Sequence, residues 1–124
     1  MDKHIAERWV QALRSGQYKQ GQGELHPDQD SYCCLGVLCD LYRVEQGKGE
    51  WRSECPQRGG FEVPGDGIVW RETAVLPLAV MNWAEIQHPA GDIAGASESL
   101  AELNDKGMAF PELADLIEKK WEYL

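Results

Sequence analysis

Two adjacent thiols, Cys33 and Cys34, open the most apolar stretch of the chain, residues 32–42. Read as a helix, that stretch puts both in the first turn, where free N–H groups and the helix dipole favour a thiolate. A thiolate there is a nucleophile. His88 or His26 would serve as its base, with Asp92 or Asn82 to orient the imidazole. Cys33, Cys34 and His88 are therefore the candidate catalytic set. A simpler account competes with it: free cysteine is among the most buried residue types, and a thiol in apolar surroundings is inert. Core packing is the reading adopted, and no catalytic residue is assigned.

Metal chemistry has less to stand on. Cys33, Cys34, Cys39 and Cys55 do not form the paired Cys-x2–4-Cys knuckles of a tetrahedral zinc site, and His4, His26 and His88 are scattered. The segment 104–107 with Glu112 resembles part of a calcium loop, but the early ligand positions are missing. Gly21-Gln22-Gly23 lacks the third glycine and the Lys-Ser/Thr ending of a phosphate loop. No metal and no cofactor is expected.

Carboxylates offer a binding surface instead. At helical spacing Glu98, Glu102 and Asp105 share one face, and Glu112, Asp115 and Glu118 share another. Such runs are ordinarily the wet side of an amphipathic helix. Brought together by a corner at Gly107, the two faces would also dock on a basic protein. A second candidate is the polar, glycine-rich stretch 17–31, where Tyr18, Lys19, Gln20 and His26 supply donors and aromatic faces for a small ligand. Its plain alternative is a connector tacked to the core by Tyr18 and Leu25.

These residues need a scaffold, and 124 residues supply one core. Net charge is −9, and it is uneven: residues 1–60 hold 8 Lys/Arg against 9 Asp/Glu, residues 61–124 hold 4 against 12. An acidic surface repels phosphate and attracts basic partners, so direct nucleic-acid binding is not expected. No stretch approaches the roughly 20 apolar residues of a membrane span, and the N-terminal residues show no signal core. The expected place is the cytoplasm, with reduced thiols.

Helices are predicted over residues 2–15, over 32–44 with Asp30 or Ser31 as cap, from Pro77 to Ile86, over 98–105 capped by Ser97, and from Pro111 onward. Gly36, costly inside a helix, marks close approach of another segment. Residues 46–60 read as a surface excursion around Trp51 and Cys55. Apolar runs at 61–63 and 68–70 flank Pro64-Gly65-Asp66-Gly67, a hairpin signature. The fold class expected is α+β: one mainly helical domain over residues 1–124, with four to five helices and one small β-hairpin.

The motif Tyr32-Cys33-Cys34-Leu35-Gly36-Val37-Leu38-Cys39-Asp40-Leu41 resembles a set of small uncharacterised bacteriophage and prophage proteins. Residues 9–21, Leu76-Pro77 with Trp83-Ala84, and 103–118 resemble the same set, although Ala109 stands where its members often have serine. The resemblance implies phage origin and a bacterial host cytoplasm; it transfers no catalytic residue. The expected function is that of a non-enzymatic accessory protein that binds and modulates a host or defence protein. Its surface would be Glu98, Glu102, Asp105, Glu112, Asp115 and Glu118. The alternative is a small-ligand-binding protein or cysteine-dependent enzyme using the 17–34 loop and helix start.

Overall fold

The computed structural model describes residues 1–55, 58–65 and 69–124. Helix α1 (Lys3–Arg14) starts at Asp2, whose carboxylate accepts the Ile5 amide at 2.9 Å. It buries Ile5, Ala6, Trp9, Val10 and Leu13, one face at the expected spacing. Helix α2 (Cys34–Gln46) is the central element, with Cys34 through Asp40 buried without a break. Its cap is neither Asp30 nor Ser31. The cap is Cys33, whose sulfur accepts the Gly36 amide at 3.4 Å. The Trp9 indole donates to the Cys34 carbonyl at 2.9 Å and so locks α1 onto α2.

Between these helices the glycine-rich loop is ordered by two short parallel strands, β1 (Lys19–Gln20) and β2 (Ser31–Tyr32). Leu25 is fully buried. Its amide donates to the Thr73 carbonyl at 2.7 Å, and its own carbonyl accepts the Cys33 amide at 3.1 Å.

The sheet is larger than one hairpin. Strands β3 (Glu50–Cys55), β4 (Arg58–Pro64) and β5 (Val69–Glu72) form an antiparallel sheet in that order. The predicted hairpin is β4–β5, while the predicted excursion contains β3. Asp66, Gly67 and Ile68 lie outside the described residues, as do the side chains of Cys55 and Trp70. Phe61 and Val63 point inward and are buried. The rings of Trp51 and Phe61, paired across β3 and β4, lie 4.7 Å apart, and Phe61 meets Tyr42 of α2 edge-on at 6.3 Å, which joins sheet to core.

Helix α3 (Leu78–Ala84) follows Pro77 and packs Trp83 edge-on to Tyr42 of α2, centroids 5.4 Å apart. Helix α4 (Leu100–Asp105) is capped by Ser99 rather than Ser97, and Gly107 turns the chain into α5 (Phe110–Lys120). The choice of serine follows from Glu102: Ser99-x-x-Glu102 is a capping box, in which the hydroxyl accepts the Glu102 amide at 3.1 Å. Helix α5 lies along α1, burying Leu113, Ala114 and Ile117, and a single 3-10 turn (Trp121–Tyr123) delivers Leu124 into the core. The fold is α+β with five α-helices among the described residues. None of them is long and apolar enough to cross a membrane.

Candidate functional site

The thiols are packed inside. Cys33, Cys34 and Cys39 are buried and free, and burial pushes Cys33 up to about 11 and the other two well above their ordinary value. This is the reverse of what a nucleophile needs. The Cys34 sulfur faces the Leu100 carbonyl at 3.7 Å, while His88, Asn82 and Asp92 are exposed. Among the described residues, no cluster of three or more His, Cys, Asp or Glu side chains is placed to hold a metal.

The loop residues divide into two groups. Tyr18 and His26 join an aromatic cluster over Asp40, whereas Gln20 turns the other way. Asp40 is the one carboxylate of the apolar run and is buried. Its carboxylate accepts the Tyr18 hydroxyl at 2.7 Å, the Arg43 guanidinium at 2.9 Å and the Trp51 indole at 3.0 Å. Burial opposes its charge, but these three donors outweigh burial and hold its pKa below the ordinary carboxylate value. The same carboxylate, after burial itself, raises the pKa of Tyr18. Tyr32 stacks flat on His26, with centroids 4.1 Å apart and planes 6° from parallel, and Trp51 meets His26 edge-on at 4.9 Å. The His26 Nδ1 lies 2.5 Å from the Ser31 carbonyl. A carbonyl can only accept, so Nδ1 is the donor in this bond.

Gln20 bridges instead to α4 and α5. Its Nε2 donates to Asn104 Oδ1 at 3.0 Å and to the Met108 carbonyl at 2.7 Å, and its Oε1 accepts the Phe110 amide at 3.0 Å. Asn104, fully buried, also accepts the Cys34 amide at 3.1 Å and donates to the Gly21 carbonyl at 2.8 Å. Lys19 remains exposed at the loop surface. Two open grooves, of about 340 and 390 Å3, lie elsewhere: one beside α1 near Val10, Arg14 and Trp121, the other near Lys48 and Arg52.

The acidic residues also differ in their duties. Asp115 and Glu118 hold Arg14 of α1 at 2.6 and 3.0 Å, and Glu98 pairs with Lys106. Glu102 sits in the Ser99 capping box, and Asp105 accepts the Gly23 amide at 2.8 Å. Glu112 stands in the first turn of α5, where the helix dipole favours an acid. Glu102, Asp105 and Glu112 are all exposed, on either side of the Gly107 turn. From residue 85 onward the chain holds 9 acidic residues against 3 basic ones.

Sequence reasoning assigns no functional role to Asp40, and none to Asn104 beyond its place in the incomplete calcium loop. A lone carboxylate within an otherwise apolar run is the signal that could have found Asp40. Asn104 carries no such mark, because its partners lie more than 60 residues away.

A family model described as a domain of unknown function, DUF8296, matches residues 1–121, and the chain belongs to that family. No curated protein and no solved structure matches it.

Proposed function

We propose that this DUF8296 protein is a non-enzymatic accessory protein of phage or prophage origin. In the bacterial cytoplasm it binds and modulates a host or defence protein through the acidic corner where α4 meets α5. One observation carries this reading: Glu102, Asp105 and Glu112 are exposed on two helices whose ends are fixed to the rest of the molecule. Fixed charges on a rigid corner give a basic partner orientation as well as attraction. The thiols support a non-enzymatic role, since burial keeps them protonated. The loop is a weaker rival, because the polar groups of Tyr18 and Gln20 already bond to the protein itself.

The test is isosteric neutralisation. Glu102→Gln keeps a capping-box side chain, Asp105→Asn keeps an acceptor for Gly23, and Glu112→Gln removes only charge. Wild-type protein should capture a basic protein from host lysate, identified by mass spectrometry. The triple variant, folded by circular dichroism, should lose that protein or hold it with a flatter salt dependence. Equal capture by the variant would overturn the reading.

A further inference from the structure

We propose that the 17–32 loop and the acidic corner form one cooperative unit latched by Gln20 and Asn104, so that the loop sets how the corner is presented to a partner. The presentation part rests on the corner being the docking face; the latch itself does not.

Helix α5 needs help at its start. Ala109 occupies the cap position with no side-chain acceptor, and Pro111 in the first turn has no N–H to offer. The Phe110 amide is instead satisfied across the fold by Gln20 Oε1. Both donors of that same amide group go to Met108 and Asn104, the two sides of the Gly107 turn. Asn104 then passes the connection back: its Nδ2 holds the Gly21 carbonyl and its Oδ1 holds the Cys34 amide at the start of α2. The Gly21 amide completes the circuit by donating to the Tyr32 carbonyl at 2.8 Å. Next to this, Gly23 donates to Asp105, an exposed acid of the corner.

Every one of these side-chain groups is used, and a half-satisfied buried network costs more than an apolar one. Losing one member should therefore loosen the others together. Glutamine suits the place because it offers two donors and one acceptor at that reach, and neither Glu nor Lys does so. A partner cation placed on Asp105 would compete directly with the Gly23 amide, so docking would be felt in the loop.

Amide hydrogen exchange on the free protein tests the latch. Gln20→Ala should raise exchange at Phe110 by roughly tenfold, and exchange at Gly21 and Cys34 should rise with it. Lys19→Ala, an exposed neighbour on the same strand, should change none of the three. A rise confined to Phe110, or no rise at all, overturns the cooperative unit. Gln20→Met, which keeps the volume and removes the same bonds, replaces the alanine variant if that one does not fold. With the captured partner, Gln20→Ala should weaken binding several-fold without any change in charge. Unchanged binding alongside coupled exchange would overturn the presentation step alone. Failure of the neutralised corner to weaken binding would instead remove the docking face and leave the exchange result standing.

Discussion

The carbonyl of Leu25 is pressed against the bare Cα of Gly36. A methyl group at position 36 would overlap the Leu25 oxygen and lie 2.7 Å from its carbonyl carbon. The oxygen is held there by the Cys33 amide, and the Leu25 amide is held by Thr73. Neither backbone can retreat. Gly36→Ala should therefore destabilise the fold by about 3 kcal/mol or more, despite a gain of about 1 kcal/mol in helix propensity. Urea denaturation reads this, and a neutral or stabilised variant would refute the close approach.

Iodoacetamide should leave Cys33, Cys34 and Cys39 unmodified in the native protein near neutral pH. Burial keeps the thiols protonated, with Cys33 at about 11, and reagent access is blocked as well. Modification should appear only as urea unfolds the chain, following the circular dichroism transition. Fast labelling of Cys33 below that transition would return the nucleophile hypothesis to consideration.

Asp40→Asn should cost about 2 kcal/mol at neutral pH, because charge-assisted bonds from Arg43, Trp51 and Tyr18 become neutral ones. The folded pKa of Asp40 lies below its ordinary value of 3.8. Its stabilisation is thus present above that value and is lost as pH falls through the folded pKa. Thermal melts from pH 7 to pH 2 should show the gap between wild type and variant closing on the acid side. A gap constant with pH would show that the charge contributes nothing.

Trp9→Phe should cost about 2–3 kcal/mol. It removes part of a fully buried ring and leaves the Cys34 carbonyl without the indole N–H. The loss should appear in α1 as faster amide exchange over residues 5–13. Wild-type protection there would mean that α5, not the indole, holds α1 in place.

Glu85 ends α3 in the left-handed region, φ 56°, the one non-glycine residue there among those described. Glu85→Gly should raise stability by up to about 1 kcal/mol through relief of this strain. A lower melting temperature would mean that the Glu85 side chain has a compensating role.

The elements that bury apolar faces were legible in the sequence. Helix α2 announced itself by composition, and Gly36 by its cost in a helix, because both express packing directly. Strand β3 was not legible. Its Glu50, Arg52, Ser53 and Glu54 read as loop, and only Trp51 hinted at a core-facing side. An edge strand composed mostly of charged and polar residues leaves almost no apolar alternation to find. The helix caps failed for a different reason. Asp30 and Ser31 are better formal caps than Cys33, but β2 takes Ser31 into an extended strand and leaves the thiol at the junction. The acids of the candidate corner could be named from spacing alone. Which of them are occupied by Arg14 and Lys106 required the fold, since Arg14 reaches Asp115 and Glu118 from about a hundred residues away.

The pairing of α1 with α5 bears on synthesis of the chain. The first helix emerges from the ribosome long before its partner exists, and α2, apolar almost all round, follows it closely. The side of α1 that faces α5 must wait for that final helix, and α2 must wait for α3 and α4, a delay that leaves apolar faces open to aggregation. A protein built this way should depend on nascent-chain chaperones when translated quickly, and slower translation should improve its soluble yield.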